Sequence, residues 1–240
     1  MESEERLKEN VAIITGASAG IGRATARELA GRGADVVLMA RGEDRLQDVA
    51  DSIESETGAR AVAAPGDATD RDDVEAAVGA AVDEFGSLDV AISNVGRSSG
   101  GTIDRTSVED FEVMQATNAR SSFLTTTAAL PHLRESGGNL IFVSSYAAEY
   151  PYPQNPVYAG TKSWIRGFAL SLFASEGERG VGVTVVHPSE VRTQVWADKY
   201  DEGEITEPEE VAETIAFAAE LESSAVPELS LYRRNKLSFF

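Results

Sequence analysis

"TGASAGIG", residues 15–22, is the stretch on which the fold of this chain turns. The run that leads into it, "VAIIT" (11–15), is apolar and suits a buried strand. The run that leaves it, from about Ile21 to Ala30, has the spacing of a helix. Gly16, Gly20 and Gly22 thus sit where a strand hands over to a helix, with Ser18 inside the turn. Glycine lets the backbone turn tightly and approach a ligand closely. Free amides at a helix start attract a pyrophosphate. A glycine-rich turn alone is weak testimony, and this spacing differs from G-x-G-x-x-G. Its weight comes from its setting between strand and helix, with another strand following within about 30 residues.

The same alternation runs on down the chain. Strand-like runs are "DVVLMA" (35–40), "AVAAP" (61–65), "LDVAIS" (88–93), "NLIFVSS" (139–145), "VGVTVVH" (181–187) and "ELSLY" (228–232). Helical patterns fall near 43–55 and 71–85, in a long region ending near His132, in the stretch after Asn155, and at about 208–222. Strands that are apolar almost throughout are buried on both faces. Their alternation with helices predicts an α/β protein: a doubly wound parallel sheet of about seven strands flanked by helices. No repeat and no Pro/Gly/Ser-rich linker divides residues 1–240, so one domain is expected.

Composition narrows the chemistry. The chain has no cysteine, which excludes disulfides, thiol catalysis and cysteine–zinc sites. It has two histidines, His132 and His187, so no metal centre is expected. No apolar stretch is long enough to span a bilayer, and "MESEERLKEN" lacks the apolar core of a signal peptide. A cytoplasmic protein is expected. The formal charge of −19 opposes nucleic acid and anionic lipid as partners. Only Lys8, Lys162, Lys199 and Lys236 are lysines, and Asp and Glu total 40. This balance resembles that of salt-loving archaea; an ordinary acidic cytosolic protein is the plainer alternative.

"VYAGTK" (157–162) sets Tyr158 and Lys162 four residues apart, on one face of a helix. Asn155 is a good N-cap and Pro156 suits the first helical position. The pair could be a surface accident or an acid–base device. A tyrosine ordinarily titrates near ~10, and a neighbouring cation would lower that by ~1–3 pH units.

Taken in order, these motifs resemble the short-chain dehydrogenases/reductases over nearly the whole length, and so imply a Rossmann-like domain. "TGASAGIG" is joined by "GDAT" (66–69), "SNVG" (93–96), Asn118, Ser145, and the Tyr158–Lys162 pair thirteen residues beyond Ser145. The resemblance implies hydride transfer with a nicotinamide cofactor. It makes Tyr158 the acid/base and Lys162 the holder of the nicotinamide ribose. It has Ser145 polarise the substrate carbonyl and Asn118 support a proton relay through water. It places Asp67 and Ala68 at the adenine, Asn94 and Gly96 beside the cofactor, and Pro188, Val191 and Thr193 on the nicotinamide side. Gly16, Gly20, Ile21 and Gly22 would cradle the pyrophosphate, and Ser18 would add a hydroxyl donor for the phosphate that marks NADP.

Cofactor choice falls to the end of the second strand. An acid there would hydrogen-bond the NAD ribose and repel a 2′-phosphate. This chain has Ala40 and then Arg41, whose planar fork suits phosphate. NADP (NADPH) is therefore expected, unless Arg41 is a solvated cation paired with Glu43 or Asp44. The expected substrate is a small ketone, aldehyde or secondary alcohol. A 3-oxoacyl-thioester reductase and a catalytically silent NADP-binding regulator are the alternatives. Tyr146, Tyr150, Tyr152, Trp196 and Arg97 are candidates for the substrate pocket, under a short lid at about 194–206. The family usually has Pro-Gly where this chain has Pro188-Ser189, which should stiffen that turn. Trp164, Ile165, Phe168, Leu172 and Phe173 offer more apolar surface than one buried stripe needs, so a homodimer or homotetramer is expected.

Overall fold

A computed structural model describes residues 6–193, 200–222 and 226–233. Trp196, Lys199 and the lid residues 194–199 lie outside the described residues. Seven strands form one sheet: β1 (Val11–Thr15), β2 (Asp35–Ala40), β3 (Ala61–Pro65), β4 (Val90–Ser93), β5 (Asn139–Val143), β6 (Gly182–Pro188) and β7 (Glu228–Leu231). Their order is β3-β2-β1-β4-β5-β6-β7, and every pairing is parallel. The α/β class, the parallel sheet and the strand count are those the sequence predicts.

Alternation along each strand fills two cores. Ala12, Ile14, Val36 and Leu38 point to one face, where α1 (Gly20–Gly31), α2 (Glu43–Thr57) and α7 (Pro208–Ala219) cover them. Val11, Ile13, Val37 and Met39 point to the other, under α3 (Arg71–Phe85), α5 (Ser121–Ser136) and α6 (Pro156–Glu176). Burial on both faces explains why the strand runs carry no polar alternation.

Between β4 and α5 lies α4 (Val108–Met114), which runs into a π-helical turn at Gln115–Arg120. No described helix is long and apolar enough to cross a membrane. Strand order reverses between β1 and β4. In such sheets ligands bind beyond the carboxyl ends of the strands at this reversal.

Candidate active site

The glycine turn leaves β1 at that reversal. Gly16 and Gly20 have φ of +74° and +54°, where a side chain would cost about 1–2 kcal/mol. A β-carbon on Gly22 would overlap the carbonyl oxygen of Gly16, and one on Gly20 would sit 3.2 Å from Thr193. Asn94 holds the turn from the neighbouring strand. Its Nδ2 donates to the Thr15 carbonyl at 2.9 Å, and its backbone N–H donates to Thr15 Oγ1 at 3.0 Å. Thr15 was not singled out in the sequence, yet its buried hydroxyl is the hub of this contact and also donates to the Ile92 carbonyl.

Ser145 follows the end of β5 and is nearly buried. Its Oγ accepts from the backbone of Ala147 at 3.2 Å, starting a short 3-10 turn. Asn155 caps α6 as expected, accepting from Tyr158 N at 2.9 Å. Such a cap contributes about 1 kcal/mol. One turn on, Lys162 is buried, and its Nζ donates to the Val143 carbonyl at 3.0 Å. The ammonium lies 5.8 Å from the centre of the Tyr158 ring. A β-carbon on Gly96 would come within 3.1 Å of it. Asn118, fully buried in the π-helical turn, accepts from Arg97 N at 2.7 Å and donates to the Arg97 carbonyl and to Thr161 Oγ1. Tyr158, Lys162, Gly96 and Asn118 thus come together beside Ser145.

The electrostatics correct one expectation. Lysine was expected to pull the Tyr158 phenol below its ordinary value. Burial instead pushes it up to about 12, with a hydrogen bond from Ser145 opposing the rise and Tyr152 adding to it. Burial also draws Lys162 down, from 10.5 to about 8. Desolvation governs both shifts, because it disfavours the charged form of each group.

Tyr152 packs edge-on against Tyr158 at 6.2 Å and against Tyr146 at 5.6 Å, while Tyr150 meets Tyr232 at 6.3 Å. Burial, with Tyr152 and Glu190 adding, holds the Tyr146 phenol protonated. Arg97 is exposed at the rim. Ser189 does not take a left-handed backbone; Glu9 is the one described non-glycine residue that does. The turn after β6 therefore does not require the family's glycine, and Ser189 Oγ lies 3.4 Å from Thr206 Oγ1. Pro188 and Val191 are buried beside this turn.

At the far end of the crevice Arg41 is exposed and, among the described residues, forms no ion pair with Glu43 or Asp44. Asp67 stands near it. The Thr69 backbone N–H holds its carboxyl below the usual range, burial opposes this, and Arg41 adds to the lowering. Ala68 is buried next to it. Among the described residues no group of three or more His, Asp or Glu could hold a metal.

The sequence model of the short chain dehydrogenase family matches residues 10–204. This chain belongs to that family. It is an oxidoreductase. Among curated relatives, trans-4-hydroxycyclohexanecarboxylate dehydrogenase of Sinomonas cyclohexanicum is 34% identical over 231 residues, 92% of this chain and 89% of the relative. Among solved structures, an alcohol dehydrogenase from the archaeon Thermococcus sibiricus, complexed with 5-hydroxy-NADP, superposes with a TM-score of 0.90 at 28% identity, covering 96% of this chain and 99% of that one. A short chain dehydrogenase from Burkholderia cenocepacia in complex with NADP gives 0.86 at 30% identity, covering 95% and 98%.

Proposed function

We propose that this enzyme uses NADP(H) to reduce a small ketone or aldehyde, or to oxidise a secondary alcohol, with Tyr158 as acid/base. The observation that carries the proposal is the convergence of Ser145, Tyr158 and the buried cation Lys162. The site fits the cofactor: the glycine turn has no room for side chains at Gly16, Gly20 and Gly22, so its backbone stays bare, and Lys162 is a buried cation without a carboxylate partner among the described residues. Gly16, Gly20, Ile21 and Gly22 would hold the pyrophosphate, and Arg41 with Ser18 the 2′-phosphate. Asp67 and Ala68 would meet the adenine, and Asn94, Gly96, Lys162, Pro188, Val191 and Thr193 the nicotinamide half. The NADP named with the Thermococcus sibiricus and Burkholderia cenocepacia structures supports this choice.

NADPH, when bound, supplies the hydride for reduction. Ser145 Oγ–H then donates a hydrogen bond to the substrate carbonyl oxygen, and Tyr158 passes its proton to that oxygen as it becomes a hydroxyl. A phenol pushed up to about 12 holds that proton at neutral pH. Lys162 faces the phenolate left behind and lowers its energy. In oxidation the proton moves the other way. Asn118, fixed through Arg97 and Thr161, supports the return of protons from solvent.

The reading extends to the whole chain. Residues 1–240 act as one domain with a short lid at about 194–206. The exposed apolar side chains Phe111, Phe123 and Trp164 support a homodimer or homotetramer. The charge of −19 with four lysines supports adaptation to high salt.

The decisive experiment is Tyr158→Phe, assayed on a panel of small carbonyl compounds with NADPH. We expect turnover to fall by about 100- to 10,000-fold, the usual worth of a positioned acid, with NADPH binding retained. Wild-type turnover in the variant would reject Tyr158 as the acid/base.

A further inference from the structure

His187 is fully buried on β6, behind Ser145, and has no part in the mechanism above. Its Nδ1 lies 3.2 Å from the backbone carbonyl oxygen of Ser145. Its Nε2 lies 3.1 Å from Oε1 of Glu228 on β7. Both neighbours are acceptors. A neutral imidazole carries one N–H and can satisfy only one of them. The carboxylate takes precedence, because a lone pair turned towards an anion costs more than one turned towards a carbonyl. Neutral His187 therefore sets its Nδ1 lone pair against the Ser145 oxygen. A second proton converts that repulsion into a hydrogen bond.

Glu228 is anchored on its other side. Arg166 reaches it with Nε at 2.5 Å and Nη2 at 3.0 Å. Arg166 continues the stripe of Tyr158 and Lys162 one turn further along α6, at i, i+4 and i+8. A chain from Arg166 through Glu228 and His187 thus returns to Ser145, the residue that opposes the rise of the Tyr158 phenol. The surrounding elements also carry Glu149, which acts on Arg166 and accepts from Ser230 and Tyr232, Lys162, which donates to Val143, Glu176, which accepts from Arg134, and Glu190, which acts on Tyr146.

We propose that His187 is a proton-dependent positioning residue for Ser145: doubly protonated it fixes the Ser145 backbone, and singly protonated it releases it. The proposal rests on Ser145 polarising the substrate. Its readout does not. The chain has two histidines, so imidazole nitrogen NMR of the full-length protein separates His187 from the partly exposed His132. We expect both ring nitrogens of His187 to carry protons in the form that turns over, and Glu228→Gln to disfavour that form. In turnover, His187→Leu should lower kcat by roughly ten- to a hundredfold through misplacement of Ser145, leaving NADPH affinity intact. His187→Asn, whose amide can donate to the Ser145 carbonyl at any pH, should restore kcat and remove the pH limb that follows His187. A His187 that keeps one proton throughout, or a Leu variant with wild-type kcat and pH profile, overturns the proposal. Ser145→Ala with unchanged turnover would overturn the role of Ser145 instead, while leaving the NMR titration as predicted.

Discussion

At the scale of single residues, the site is governed by what burial does to charge. Lys162 has exchanged water for one carbonyl, and its ammonium is drawn down to about 8. A ligand oxygen placed against it favours the charged form and raises that value. Below pH 8 the free enzyme already carries the cation. Above it, binding must bring a proton along, so NADPH affinity should fall as pH rises above about 8. Calorimetry in buffers of different ionisation enthalpy would detect that uptake near pH 9, and a pH-independent affinity would refute it. Stability carries the matching signs. The lowered Lys162 costs stability below its folded value, a cost removed as pH rises through 8 to 10.5. The raised Tyr158 phenol contributes stability below its ordinary 10, which is lost as pH rises towards 12. That Tyr158 and Lys162 share a helix face was legible in their spacing, and Ser145 joined them through the family resemblance. Their electrostatics were not, because spacing along a helix says nothing about how much water reaches it. His187 was given no role in the sequence for a related reason: its partners Ser145 and Glu228 are 42 and 41 residues away, joined only by strand pairing.

At the scale of elements, strands were the easiest to read, since burial on both faces leaves an unbroken apolar run. The π-helical turn at Gln115–Arg120 was not foreseen. It inserts within a continuous helical stretch, and residue spacing does not mark the change in hydrogen bonding. The apolar stripe on α6 was read too generously. Ile165 is buried, and Phe168, Leu172 and Phe173 pack against the core, leaving Trp164 at 42% exposure as the outward residue of the five. In the proposed function, the turn from β2 into α2 makes the cofactor choice. With Ala40 uncharged and Arg41 free of Glu43 and Asp44, a charge-assisted contact to a 2′-phosphate is worth roughly 1.5–3 kcal/mol. NADPH should then bind about ten- to a hundredfold more tightly than NADH. Ala40→Asp combined with Arg41→Ala should reverse the order, because the phosphate loses a cation and meets a carboxylate. Comparing kcat/KM for the two cofactors in both proteins at one salt concentration tests this; a wild-type preference for NADH would contradict it.

At the scale of the molecule, net charge and apolar surface pull in opposite directions. A charge of −19 makes copies repel, while Phe111, Phe123 and Trp164 favour their association. Salt screens the first and strengthens the second. Raising KCl from about 0.1 M to about 2 M, where the screening length falls below ~3 Å, should therefore raise the melting midpoint and stabilise a particle of two or four chains. Light scattering that finds only single chains of 25.5 kDa, or a midpoint that does not rise, would count against that view. The tie between Thr15 and Asn94 bears on how the molecule comes to be made. The two residues stand 79 positions apart, and the glycine turn leans on both. At about 5–20 residues per second on a ribosome, the anchor is synthesised roughly 4–16 s after the turn it secures. The first βαβ unit must wait through that interval with β1 unpaired on the edge that β4 later covers. Nascent chains stalled before and after Asn94 leaves the exit tunnel should accordingly differ in resistance to brief proteolysis.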